Sequence, residues 1–373
     1  MNEAVAKRFA TIQEWLRTQG LAAGLVTAPV SMQYLTNWSN PSKRFSGLVI
    51  PADGEPVLVV PTLEVEGARD AFVKALRNWD DGQDPFVPLA DVLRQAGAGE
   101  RPLAVEKEAL PLRQFEGMAA ALGTAPDRLL VQTADLSPVI SRMRERKGPD
   151  EIELIQRAAD MLNPALDAAV QAIRSGITEK ELVAVLEEAM ARAGAEGTAF
   201  ETHVVFGAKA ALPHGTTGEQ VLEPGQVVLM DFGALYKGYR SDITRTLCCG
   251  EWPAEMAKVY EIVLAANAAG IAAVKPGVTL GAVDQAARKV IEDAGYGPYF
   301  IHRTGHGLGL EIHEEPYVVA GNQKVLEPGH VVTIEPGIYL PGVGGVRIED
   351  DVVVTETGCR VLTSWTKERL SVR

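Results

Sequence analysis

VLEPGQVVLMD occupies residues 221–231, and VLEPGHVVTIE occupies residues 325–335, 104 residues further on. The two stretches are nearly the same sentence, and each ends on a carboxylate, Asp231 and Glu335. A second acid follows each, Asp242 in RSD and Glu349 in RIE, both two residues after an arginine (Arg240, Arg347). The likeness extends upstream: RSGIT (174–178) precedes the helical pattern KELVAVLEEAMARAG, and KPGVT (275–279) precedes GAVDQAARKVIEDAG. Each copy therefore reads as helix, glycine turn, helix, then β-structure ending in an acid-bearing hairpin. The period is too long and the copies too few for a solenoid. The pattern predicts an α+β domain with an internal pseudo-two-fold repeat.

The acids carry the chemistry. If a four-residue loop, LYKG (235–238), closes the first hairpin, Asp231 and Asp242 face each other; in the second, Glu335 and Glu349 face each other around Pro341, Gly342 and Val343. Directly opposed side chains have Cβ atoms about 4.5–5.5 Å apart, and carboxylates that close repel unless a cation lies between them. A lone acid on a strand is ordinarily a solvated face, and Arg240 and Arg347 could make surface pairs. The apolar flanks VVLM and VVTI argue for buried strands instead, where an unpartnered carboxylate is costly. His306, between glycines in HRTGHGLGLEIH (302–313), is not in a helical zinc motif, and adds an imidazole to four oxygen ligands. That donor set favours Mn, Co or Zn, and four acids could hold two divalent ions. His214, His302 and His313 lie near these blocks in sequence; His203 and His330 have no such context.

The rest of the chain sets bounds. With 373 residues, 49 acidic against 36 basic side chains and a net charge of −13, it is a folded chain of two-domain size with no general basic surface for nucleic acid or an anionic membrane. Three cysteines, two of them adjacent, make no disulfide framework and fit a reducing, cytoplasmic setting. The first twenty residues read as an amphipathic surface helix with Val5, Phe9, Ile12 and Leu16 inward. Residues 1–140 alternate strand-like runs (23–27, 46–51, 56–61, 102–107, 128–133) with helical stretches (63–77, 111–122), an α/β layer domain. Residues 141–373 form the second domain, opening on a helix of about 25 residues that Pro164 kinks or divides.

PHGTTG, MDFG…YRSDITRT, GHGLGLEIHEEP, TIEPGIY and GVRIEDD resemble, in order, the sequence blocks of the "pita-bread" metallopeptidases, which include methionine aminopeptidases, aminopeptidase P and Xaa-Pro dipeptidase (prolidase). The resemblance implies five metal ligands, Asp231, Asp242, His306, Glu335 and Glu349, around two divalent ions, manganese before cobalt or zinc, with Asp242 and Glu349 bridging. It implies proton transfer by Glu335, substrate-side roles for His214, His302 and His313, and ligand support from Tyr339 and Arg347. The N-terminal α/β domain resembles the proline-directed branch, a homodimeric group acting on short proline-containing peptides, and favours Xaa-Pro dipeptidase over aminopeptidase P. A metal-free, creatinase-like hydrolase or a non-enzymatic relative would have a broken ligand set, and all five ligands stand here. One departure is Tyr317, where many prolidases carry an arginine for the dipeptide carboxylate; Lys43 or Arg44 in NPSKRFSG is the replacement that position suggests.

Overall fold

A computed structural model describes residues 3–212 and 215–372. It divides into two compact units, Met1–Arg144 and Glu145–Arg373.

In the first unit the helix Glu3–Thr18 buries Val5, Phe9, Ile12 and Leu16, the stripe that its 3.6-residue period lays on one face. Six strands, β1 (Ala23–Val26), β2 (Gly47–Pro51), β3 (Val57–Pro61), β4 (Ala75–Trp79), β5 (Leu103–Val105) and β6 (Ala134–Asp135), form one mixed sheet in the order β4-β3-β2-β1-β5-β6. Two segments differ from the sequence expectation. Residues 128–133 belong to the helix Pro126–Gln132 rather than a strand. Pro126 opens its first turn, where a missing N–H costs nothing, and Leu130 and Val131 stay exposed, so their apolar run is not a core signal. Residues 63–77 are helical only as far as Ala68, and β4 begins at Ala75, where pairing with β3 overrides local preference.

The second unit repeats itself in hydrogen bonds as well as sequence. Gly176 and Gly277 both take positive φ (94° and 84°), and their N–H groups bond Leu222 O and Leu326 O. Thr178 and Thr279 then cap the helices Glu179–Ala193 and Leu280–Asp293 through their hydroxyls. The opening helix is divided at Met161 into Pro149–Asp160 and Leu162–Ala172. Pro164 cannot donate to the carbonyl four residues back, and its ring crowds it. The helix Ala254–Ala273 is the one described helix long and apolar enough to cross a membrane. Its buried face, Met256 to Gly270, packs into the core with Leu229, Ile338 and Ile348.

The strands of the first copy are β7 (Gly197–Thr198), β8 (His203–Phe206), β9 (Val227–Phe232), β10 (Ala234–Tyr236), β11 (Tyr239–Arg240) and β12 (Ile243–Cys249). Those of the second are β13 (Gly305–Gly307), β14 (Glu314–Val318), β15 (Val331–Ile334), β16 (Gly337–Leu340), β17 (Gly344–Arg347), β18 (Asp350–Val354) and β19 (Cys359–Val361), with β20 (Ser371–Val372) returning to pair with β12. Each copy centres on a long antiparallel pair, β9 with β12 and β15 with β18, whose connection extends as a hairpin, β10–β11 or β16–β17.

A buried cation helps lock the copies together. Arg245, with its side chain 1% exposed, donates to Thr366 O, Thr244 O, Glu349 O, Trp365 O and Asp350 Oδ1 at 2.6–3.1 Å. Asp350 also receives Lys367 Nζ and the Thr363 hydroxyl. Removing one partner of a buried pair strands the other charge, at about 3–5 kcal/mol. Arg245→Met is therefore expected to lower Tm by about 10 °C or more, while Arg192→Ala at the exposed Arg192–Glu188 pair shifts it by about 1 °C or less; differential scanning calorimetry measures both.

Candidate metal centre

The first hairpin turns on two residues. Lys237 and Gly238 both have positive φ (47° and 83°), and Tyr236 pairs with Tyr239. This is the two-residue turn whose twist matches its strands. The resulting register sets Asp231 opposite Thr244, not Asp242 as a four-residue loop would. Asp242 instead sits just before β12, on the diagonal. In the second copy, Ile334 opposes Asp350 and Gly337 opposes Arg347, which places Glu335 across from Glu349. Asp242 and Glu349 hold equivalent places, each in the break between a hairpin and its long strand.

The two breaks grip each other reciprocally. Asp242 N–H donates to Asp351 Oδ2 at 2.9 Å, and Glu349 N–H donates to Thr244 O at 3.1 Å. In each case the acceptor lies two residues beyond the equivalent acid of the other copy. The Thr244 hydroxyl donates to Glu349 Oε2 at 2.6 Å. Asn267, on the long helix, donates to Ile334 O and Ile348 O, the carbonyls preceding Glu335 and Glu349.

His306 arrives on β13. A side chain at Gly305 would put its Cβ 1.8 Å from Thr333 O, so glycine is what lets this strand lie against β15. Thr333 Oγ1 accepts from His306 N–H and donates to Glu335 Oε1. His306 Nδ1 lies 3.1 Å from Gly307 O; a carbonyl only accepts, so Nδ1 carries the proton and Nε2 presents a lone pair. That lone pair faces Glu335 Oε1 at 3.4 Å and Asp242 Oδ2 at 3.7 Å. Burial first, then the neighbouring His313, pushes the imidazole pKa down to about 3, so it is neutral.

Arg347 supports the remaining acid. Its guanidinium donates to Asp231 Oδ2 (2.5 Å), Tyr339 OH (2.9 Å) and Thr244 Oγ1 (3.0 Å). Tyr339 OH lies 2.8 Å from His302 Nε2, and His302 Nδ1 lies 2.7 Å from Arg303 O. The proton on Nδ1 makes Nε2 the acceptor, giving a directed chain Arg347→Tyr339→His302. Arg347 is thus not a surface partner of Glu349, and Arg240 donates to the carbonyls of Ala199 and Leu310 rather than to Asp242.

Asp231, Asp242, His306, Glu335, Glu349, His302, His313, Tyr339 and Arg347 all line one cavity of about 620 Å³. His313 is exposed, its ring edge-on to His306 at 4.3 Å. His214 lies outside the described residues. Sequence reasoning passed over His203, which lines the cavity and pairs directly with Asp231 across β8 and β9. Reading HVVF as a strand beside VVLMD would have found it. It also passed over Asp350 and Asp351, though EDD (349–351) is a visible run; the three acids face the cavity, Arg245 and Asp242 respectively. Arg44 is held by Asp81 through two hydrogen bonds of 2.7–2.8 Å in its own unit.

The donor set fits divalent cations. Ligand atoms of Asp242, His306 and Glu349 lie within 4.8 Å of one another. Asp242 Oδ1 is buried with no partner among the described residues, and the bare Nε2 of His306 faces oxygens of Glu335 and Asp242, leaving a lone pair and carboxylates aimed at a common point. Burial, then mutual repulsion, holds Asp242 and Glu349 well above the usual carboxylate range, and burial raises Glu335 to about 7.

Residues 8–146 match the Creatinase/Prolidase N-terminal domain and residues 153–356 match Metallopeptidase family M24. The chain belongs to metallopeptidase family M24. It is 38% identical to the Bacillus subtilis "Putative dipeptidase YkvY", over 97% of this chain and 98% of that one. Among solved structures, it is similar to an Xaa-Pro dipeptidase from Bacillus anthracis (TM-score 0.91, 33% identity, 98% of this chain and 99% of that one). It is also similar to an X-Pro aminopeptidase from Thermotoga maritima (TM-score 0.86, 35% identity, 97% and 100%). Membership implies divalent metals and peptide hydrolysis, and the α/β plus duplicated α+β architecture is that of these neighbours.

Acids raised in the folded state hold protons that the unfolded chain releases, so metal-free stability falls as pH climbs. For Glu335 the fall runs from about pH 4.5 to about 7. A divalent metal held there would supply the missing countercharge. Chelated protein is therefore expected to lose Tm between pH 5 and 8, and the rise in Tm on adding Mn²⁺ is expected to grow over that range. A metal-induced rise that is the same at every pH would contradict this electrostatic picture.

Proposed function

We propose that this M24 peptidase hydrolyses the bond preceding proline in short peptides, acting chiefly as an Xaa-Pro dipeptidase on a pair of divalent ions, manganese in the first place. The observation that carries the metal part is the convergence of four carboxylates and a neutral histidine on one cavity, with Asp242 Oδ1 unpartnered. Asp231, Asp242, His306, Glu335 and Glu349 are the proposed ligands. The proline part is supported by likeness along nearly the whole chain to proteins described as Xaa-Pro dipeptidase and prolidase. Residues 1–140 are taken as the N-terminal domain and 141–373 as the catalytic one. Three free cysteines suit a reducing cytoplasm, and a homodimer completes the reading.

When bound, the ions would supply Lewis-acid polarisation of the scissile carbonyl and a more acidic water. Glu335, at the edge of the cavity beside His306, is placed to accept the proton of the attacking water and pass it to the leaving proline nitrogen. Arg347 holds Asp231 in place and is itself fixed by Tyr339 and His302. His302 has both ring nitrogens engaged by the chain, so its part is orientation rather than proton transfer to substrate. His313, open to the cavity, is placed to hydrogen-bond the carbonyl oxygen as charge develops on it, a task His214 is proposed to share.

A second reading, aminopeptidase P acting on longer peptides, is favoured by Tyr317 at the place where an arginine would meet a dipeptide carboxylate. Mn-loaded protein given Ala-Pro and Ala-Pro-Ala side by side separates the two. Release of alanine from the dipeptide, abolished by EDTA, is expected. Preference for the tripeptide would establish the second reading, and activity on neither would overturn proline specificity.

A further inference from the structure

Position 317 holds a tyrosine, and the cavity beside it carries its own arginines. Two arginines line it, Arg303 and Arg347. Arg347 is spent on Asp231, Tyr339 and Thr244. The Arg303 guanidinium makes no hydrogen bond or ion pair with any described residue. It lies instead over the ring of Tyr317, 4.3 Å from its centroid. An arginine on an aromatic face keeps its planar N–H edge free for an anion while its stacked face is supported.

The backbone beneath Arg303 is fixed from behind. Arg288 donates to Phe300 O and His302 O and is gripped by both oxygens of Asp284. Asp284 also accepts the Thr304 hydroxyl at 2.7 Å. Thr304 N–H donates to Val318 O, which sets the Arg303 segment beside Tyr317. The His302 imidazole bonds Arg303 O from the front. A half-buried cation on a braced backbone, at the wall of a cavity otherwise rich in acid, is a place for an incoming carboxylate.

We propose that Arg303, shelved on Tyr317, binds the free α-carboxylate of the C-terminal residue of a short peptide and so selects dipeptides over longer chains. This rests on the peptidase reading above. It is preferred to Arg44, which is engaged by Asp81 in its own unit. The Tyr317 ring holds the neighbouring guanidinium where the charge is needed.

The test compares the Mn-loaded wild type with Arg303→Ala, Arg303→Lys and Tyr317→Leu on Ala-Pro and on Ala-prolinamide, which lacks the carboxylate. Losing one partner of a desolvated charge pair is expected to cut kcat/KM for Ala-Pro by about 30-fold or more in Arg303→Ala, chiefly through KM. Turnover of the amide should change by less than about threefold, since it makes no such pair. Arg303→Lys should recover part of the dipeptide loss, having charge without the planar fork. Tyr317→Leu should raise KM for the dipeptide alone, by a smaller factor. Competitive inhibition by free proline should weaken in Arg303→Ala while that by prolinamide stays constant. Equal losses on acid and amide, or full dipeptide activity in Arg303→Ala, would overturn the assignment to Arg303 and leave the peptidase reading standing. A wild type inactive on both substrates would overturn the proline-directed reading and the carboxylate assignment with it.

Discussion

Four carboxylates cannot share one buried cavity without countercharge, and the second unit is organised around that constraint. Elsewhere in the unit, four buried acids have cations of their own. Asp350 has Arg245 and Lys367, Glu314 has Lys147, Glu179 has Lys209, and Asp284 has Arg288. At the cavity, Asp231 has Arg347 and Glu349 accepts the Thr244 hydroxyl, but among the described residues neither Asp242 nor Glu349 has a cation, and Asp242 Oδ1 has no partner. His306, which could have supplied a positive charge, is held neutral by burial with its lone pair turned inward. Together with Asp351, which accepts the Asp242 N–H and likewise lacks a cation among the described residues, these acids form a concentration of negative charge suited to receive positive charge from outside.

The duplicated architecture makes the arrangement rigid. Each copy brings one acid from a long strand or its end and one from the break after its hairpin. The breaks are tied across the pseudo-two-fold by Asp242 to Asp351 and Glu349 to Thr244. Thr333 pins His306 and Glu335 together, and Asn267 holds the backbone before both second-copy acids. Side chains fixed in this way need little reorganisation when a cation or a transition state arrives, which is how supporting residues tune a metal site. The Arg347–Tyr339–His302 chain extends the same bracing toward the substrate side and ends on Arg303.

Much of this was legible in the sequence because duplication writes each functional position twice. The repeated VLEPG(Q/H)VV frame pointed to Asp231 and Glu335 with their apolar flanks, and matched spacing pointed to Asp242 and Glu349. What the sequence did not display were features set by backbone geometry and by pairing. Lys237-Gly238 makes a two-residue turn that Lys disguises, since Asn or Asp would ordinarily announce it, and the register moved by two residues as a result. His203 gains its place only through pairing with Asp231. The strand Ala75–Trp79 and the helix Pro126–Gln132 were misread where apolar content and burial part company: Leu130 and Val131 are apolar and exposed. Arg303 is invisible in one dimension, because its partner Tyr317 is fourteen residues away and the pairing of β13 with β14 brings them together.

The most direct measurement is anomalous diffraction from Mn-soaked crystals of the intact chain, collected on both sides of the manganese edge. Two peaks are expected among Asp231, Asp242, His306, Glu335 and Glu349, with Asp242 and Glu349 touching both. A single peak at full occupancy, or manganese bound only outside this cavity, would contradict the view that the four carboxylates are gathered to hold a pair of ions.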